Sequence, residues 1–276
     1  MGIERPWMSA LRLTVIAAGA LVFLFPFVWM VATSLTTDSE LFKTPPSIIP
    51  NPVDTSAYER LFSGEIPLGR WILNSLGVSI AVMLLQVLTS AMAAYAFTRF
   101  EFRGRNAIFV LFLATLMVPF QVMVVPLFIE LRYLGLLDSY AGLIIPEIAM
   151  PFGVFLLRQA FLSIPRDYEE AAFVDGAGHI RVFARIILPM SKPALATVAV
   201  FSFMGSWNNF LWPLVVINNP ELMTLPLGLS SLSSRFVTDW NLLLAGATLS
   251  VLPIVAVFLF AQRYILQGVA MSGLKG

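Results

Sequence analysis

The chain has no cysteine, one histidine, and charged side chains at only 12% of its 276 positions. Without cysteine there are no disulfides, no thiolate metal sites and no thiol nucleophile, and the redox state of the compartment leaves no mark. The lone histidine, His179, gives no basis for a metal cluster, and no serine elbow or facing pair of aspartates stands in for one, so a membrane enzyme finds little support. A glycine-rich phosphate loop ending in Gly-Lys-Ser or Gly-Lys-Thr is also missing. No cofactor or metal is expected in this chain. Low-complexity stretches and clear internal repeats are absent, and no loop is long enough to bury a core of its own. Nucleic acid is not an expected partner.

What is present is apolar: hydrophobic residues make up 58% of the chain, and the mean hydropathy is +0.85. That balance belongs to a chain solvated by a lipid bilayer. A helix needs about 20 mostly apolar residues to cross the hydrocarbon, and six stretches qualify: 11–34, 71–97, 107–129, 141–162, 194–217 and 242–260. Long continuous runs, not short alternating ones, favour helices over a β-barrel. The expected fold is all-α, a polytopic membrane protein with six transmembrane helices in a single domain, 1–276. Arg5 and Arg12 precede the first run as they would in a signal peptide, but the run is too long and "PFVWMVATSL" offers no convincing cleavage site. A retained span is expected.

Lysine and arginine set the orientation. With six spans, only Lys43, Arg60, Arg70, Arg132 and Arg235 fall on one side, and all the others fall on the side of the N-terminus. The basic side faces inward, so both termini and the loop 163–189 are expected in the cytoplasm of a prokaryotic cell. The longest outer loops, 36–70 and 218–240, contain turn formers such as "TPPSIIPNP" and "INNPEL" and are expected to be ordered only in part. They serve either as docking surface or as plain connectors.

The inner loop reads "SIPRDYEEAAFVDGAGHIRVFARIILP". Pro165 suits a first helical turn, and Asp167, Glu169 and Glu170 place negative charge at the positive end of the helix dipole, so a short helix is expected over 165–174. Asp175-Gly176 signals a turn. Ile180, Phe183, Ile186 and Ile187 then recur at helical spacing up to Pro189. Two short helices about a sharp turn make a compact knob. Small Ala171 and Ala172 let a neighbouring surface approach, while Glu170 can pair with a cation. Lying on the lipid headgroups as an amphipathic hairpin is the plainer alternative.

Glu170-Ala171-Ala172, three residues, Gly176, nine residues, Ile186, one residue, then Leu188-Pro189 matches the EAA loop of binding-protein-dependent ABC importer permeases in full. The chain resembles the carbohydrate-uptake branch of that family, in particular its smaller maltose-type and glycerol-phosphate-type permeases, through "LDSYAGLIIP", "WNNFLWPLVV" and "QGVAMSGLKG" as well. The resemblance implies that the knob is a coupling helix between spans four and five. It would sit in a cleft on an ABC ATPase dimer that binds ATP and Mg. Glu170, Ala171, Ala172, Asp175 and Gly176 would make the contact, and Ile186, Leu188 and Pro189 would support it. A second permease of similar fold and an extracytoplasmic solute-binding protein are the other implied partners. The tail 268–276, with Gly273, Lys275 and Gly276, is expected to be short and flexible and either to reach between the ATPase subunits or to fray.

For the solute pathway, Glu147 is the one clearly intramembrane carboxylate, set between Pro146 and Pro151 where loosened helix frees carbonyls. It either accepts hydrogen bonds from a solute or meets water near the outer surface. Trp207, Asn208 and Asn209 combine an aromatic face with amides and serve either a sugar or helix packing; Gln86 and Gln121 are weaker candidates. The middle of the membrane lacks the arginine or lysine that a phosphorylated solute calls for. A neutral sugar or oligosaccharide is therefore expected ahead of glycerol phosphate or a related polyol ester. A secondary transporter would not need the coupling loop.

Overall fold

The computed structural model describes residues 6–41, 43, 49–233 and 239–273, and among them the regular elements are helices. Three are long and apolar enough to cross a bilayer unaided: Ala10–Ser34, Leu68–Arg99 and Trp240–Arg263. The other three expected spans are broken, and this corrects the continuous helices read over 107–129, 141–162 and 194–217. Arg105–Met117 turns by 100° into Phe120–Tyr133, Tyr140–Glu147 by 46° into Pro151–Leu162, and His179–Met190 by 81° into Lys192–Trp207. If each bent pair counts as one span, the total is six.

Proline accounts for the breaks. It lacks an N–H, and it drives the preceding residue out of the helical region. Val118, before Pro119, has ψ 114°, and Met150, before Pro151, has ψ 91°. In the third pair Pro189 and Pro193 flank Ser191, which sits at ψ 14°. Beyond Trp207 the chain leaves the helix at Asn208–Phe210 and resumes as Leu211–Val216. Hydropathy averages over such breaks, because the residues around each proline stay apolar.

The chain divides into two compact units. One comprises Met1–Leu68 and Leu229–Leu252. Its helix Pro6–Ser34 buries none of its most apolar 18-residue window within the chain. A helix apolar on every face has to be solvated by lipid or by another chain. The following connection is ordered by polar contacts: Ser34 Oγ lies 2.8 Å from Tyr58 Oη, Asn241 Nδ2 donates to Thr36 O at 2.7 Å, and Arg60 pairs with Asp239.

The other unit comprises Gly69–Gly228 and Pro253–Gly276. Two apolar clusters are strung along the long helix that ends at Arg99. Near its start, Val78 and Val82 pack with Leu131, Leu143, Trp212 and Val216. Near its end, Ala91, Ala94 and Tyr95 pack with Leu157, Phe161, Val182, Ile187 and Val198. Small residues allow close helix approach in lipid. A Cβ on Gly153 would lie 2.7 Å from Ser90 Oγ and 3.2 Å from Val198 Cγ1. Between the clusters the same helix carries Gln86, Thr89 and Ser90.

Candidate functional site

The knob is built by a helix terminator of defined geometry. Helix Asp167–Val174 ends where Ala177 N–H donates to Ala172 O at 2.9 Å and Gly176 N–H to Phe173 O at 3.0 Å, with Gly176 at φ 80°. This is the paired-bond arrangement of a Schellman motif, whose left-handed position suits glycine. Open space surrounds Gly176 out to 4 Å, so its backbone angle, not crowding, requires glycine here.

The second arm departs from the plain helix that its spacing suggests. After His179–Val182 the backbone widens into a π turn, Phe183–Ile187, closed by Leu188 N–H donating to Phe183 O. Pro189 follows, with no N–H to continue a tighter pattern. Widening turns Ile187, like Val182, fully inward, while Ile186 and Leu188 pack partly buried against the same cluster. His179 sets its ring edge-on to Phe173 at 4.9 Å and to Phe100 at 5.2 Å, which ties the two arms together.

Among the coupling candidates, Glu170, Ala171, Asp175, Gly176 and Pro189 are exposed. Ala172 is only partly buried, packing on the core as Ala177 does. Around the exposed set, Val174 and Ile180 are 88% and 84% exposed. The knob thus presents small and apolar groups edged by acids, a surface suited to a protein partner.

Sequence reasoning gave Glu169 only a place at the helix dipole and passed over Arg99. Glu169 is the one buried residue of helix Asp167–Val174. Its Oε1 faces Arg99 Nε at 2.5 Å as an ion pair, off the line of a hydrogen bond. Arg99 Nη2 also donates to Phe161 O at 2.9 Å and Ile164 O at 3.3 Å, at the end of helix Pro151–Leu162. The adjacent acid in "EEAA" and a terminal arginine were the only sequence signals.

In the pathway candidates, the carbonyls released by the break near Pro146 and Pro151 are taken up by the long helix: Gln86 Nε2 donates to Glu147 O and Thr89 Oγ1 to Ile148 O at 2.9 Å, while Ser90 Oγ adds a 3.4 Å bond to Met150 O, which already accepts from Val154 N–H at 3.1 Å. Glu147 Oε1 accepts from Asn209 Nδ2 at 2.5 Å, and Asn209 Oδ1 accepts from Trp212 N–H at 3.2 Å. Glu147 and Asn209 are therefore brought together. Trp207 is not with them: it is 1% exposed and stacked on Phe203 at 15°. Asn208 is exposed and returns its Nδ2 to Met204 O at 2.9 Å.

The first part of the loop after Val216 is more ordered than its turn residues suggest. Asp138, at φ 56°, accepts the backbone N–H groups of Asn218 at 2.9 Å and Asn219 at 2.8 Å. Asn74 donates to Glu221 O and Met223 O, both at 2.9 Å, and is itself fixed by Tyr140 Oη at 2.7 Å. At the C-terminus, helix Trp240–Gly273 continues through the stretch read as a flexible tail and ends at Gly273. Lys275 and Gly276 lie outside the described residues.

Comparison with known proteins gives a consistent picture. Residues 86–271 match the model of the family "binding-protein-dependent transport system inner membrane component". The chain is 39% identical over 259 residues to the arabinooligosaccharides transport system permease protein AraQ of Bacillus subtilis (strain 168), covering 93% of this chain and 92% of that one. It is 36% identical over 262 residues to the sn-glycerol-3-phosphate transport system permease protein UgpE of Yersinia pestis, covering 92% and 93%. Among solved structures it superposes on a chain of a bacterial ABC transporter that imports the acidic polysaccharide alginate. The TM-score is 0.82 at 22% identity, covering 96% of this chain and 99% of that one.

Proposed function

This chain belongs to the family of binding-protein-dependent transport system inner membrane components, and from that premise we propose that it is a non-catalytic permease subunit of an ATP-driven importer. With a second permease of similar fold it encloses the path of a neutral sugar or oligosaccharide. An extracytoplasmic binding protein delivers the solute, and a partner ATPase dimer, holding ATP and Mg, grips the knob from the cytoplasm, where both termini lie. Closure of the ATPase pushes the knob, and the knob moves the spans.

The knob carries this reading. An exposed turn fixed by Gly176 and edged by Glu170 and Asp175 stands on a fully buried footing of Val182 and Ile187. A hairpin meant only to rest on headgroups would set its apolar residues along one face and its basic residues along the other. The solute class rests on charge. Arg99 is engaged by Glu169, and Arg158 lies over the Phe109 ring, 4.3 Å from its guanidinium carbon, toward the inner end of helix Pro151–Leu162. The stretches that cross the middle of the membrane carry no arginine or lysine to hold a phosphate.

The solute is tested on the binding protein encoded beside this chain, by its thermal stabilisation with arabino-oligosaccharides, malto-oligosaccharides and glycerol 3-phosphate. Stabilisation by a neutral oligosaccharide, with ATP-driven uptake of it by the reconstituted complex, is the expected result. Stabilisation by glycerol 3-phosphate alone would move the solute to the polyol esters and overturn the charge argument.

A further inference from the structure

We infer that Arg99 and Glu169 are positioning residues: the buried pair they form is the link that makes the knob move as one piece with the long helix Leu68–Arg99. The inference rests on the functional reading above and adds to it the residues that carry motion into the membrane.

Three observations lead there. Helix Asp167–Val174 is only eight residues long and buries a single side chain, and that side chain is a carboxylate. Glu169 and Arg99 are 5% and 6% exposed at the side chain, with 2.5 Å between Oε1 and Nε. Taking both charges out of water is unfavourable, and an apolar pair of similar volume is often as stable or more so. A buried pair here therefore argues for fixed geometry over stability.

Second, Arg99 does more than neutralise Glu169. It is the last residue of its helix, and its Nη2 donates to the carbonyls of Phe161 and Ile164 at the end of helix Pro151–Leu162. One planar guanidinium thus holds three elements: the end of the long helix, the end of the helix leading into the knob, and the knob itself. Its rigid fork sets angles as well as distances, which an ammonium group does not.

Third, the rest of the knob's grip lies on its other arm. Val182 and Ile187 anchor the segment after the turn, while the segment before it is held inward by Glu169 and partly buried Ala172, with exposed Phe173 meeting only the edge of the His179 ring across the turn. Without the ion pair, a push on the exposed face would rock Asp167–Val174 about its glycine turn before reaching the long helix.

The test uses the complete reconstituted complex of both permeases, the ATPase and the binding protein. The chain has no cysteine, so Met92→Cys on the long helix and Tyr168→Cys on the knob, 55% and 54% exposed, give a pair that is labelled on this chain before the partners are added. Spin-label separations are measured without nucleotide and with ATP, alongside the stimulation of ATP hydrolysis by the binding protein. With Glu169 present the separation should be the same in both states. Glu169→Gln should broaden or shift it with ATP and reduce the stimulation at least fivefold, and Arg99→Lys should give intermediate values. A separation that changes between states with Glu169 present, or a Glu169→Gln complex equal to the parent in both readouts, would overturn the link. If Glu169→Gln fails to assemble, the parent separation and Arg99→Lys decide: a separation that changes, or a lysine variant equal to the parent, counts against it. A parent complex whose ATP hydrolysis ignores the binding protein would instead sink the functional reading, and this inference with it.

Discussion

Glu169 and Glu170 are chain neighbours with opposite surroundings, one buried against Arg99 and the other exposed on the knob. Charge reversal at Glu170 should accordingly leave the chain folded and disturb only what docks on it. Gly176 makes a sharper case. At φ 80° with open space around it, a side chain meets no atom but must hold a left-handed backbone that disfavours β-branched residues by roughly 1–2 kcal/mol. Gly176→Val should weaken ATPase capture by the membrane-bound complex by roughly 5- to 30-fold, as read by co-purification, since each such increment is that large a population change. Trp207 carries the reverse expectation. Fully enclosed and stacked on Phe203, it should tolerate Trp207→Phe without a change in the apparent affinity for solute in an uptake assay. The turn at Gly176 and the exposure of Glu170 were legible in the sequence because both follow from local backbone. The enclosure of Trp207 and the partial burial of Ala172 were not, since they depend on packing that no local pattern reports.

At the scale of elements, the broken span around Pro146 and Pro151 shows how a membrane helix survives interruption. Its released carbonyls are met by Gln86 and Thr89 of the neighbouring helix. In lipid no water is at hand to replace such a partner. Gln86→Leu should therefore destabilise the purified chain by about 1–3 kcal/mol, the typical penalty for a buried acceptor left unsatisfied, seen as a lower midpoint in thermal unfolding in detergent. Gly153→Val should act on the same joint by crowding, because its Cβ would already stand 2.7 Å from Ser90 Oγ. Six hydrophobic runs were legible from composition, and the prolines that break two of them were visible too. The bend angles were not, since they arise from which side chains on another helix receive the freed carbonyls. The π turn before Pro189 is another case: its residues keep helical spacing, and only the inward facing of both Val182 and Ile187 reveals the extra width.

For the molecule as a whole, apolar surface remains after the chain has folded. The first span leaves its most apolar window wholly unburied, and the knob leaves Val174 and Ile180 almost bare. The first needs lipid or a second permease, and the second needs a protein. Family membership and the permease fold were readable because the coupling motif is contiguous in sequence. The pairing of Glu147 with Asn209 was not, because the two meet only through folding. The central claim is that an ATPase drives this chain through the knob. Its most direct test is binding-protein-stimulated ATP hydrolysis by the reconstituted complex, comparing the parent chain with Glu170→Lys and Gly176→Val. Stimulation lost in both variants, with the chains still inserted and folded, is the predicted result; undiminished stimulation in both would contradict it.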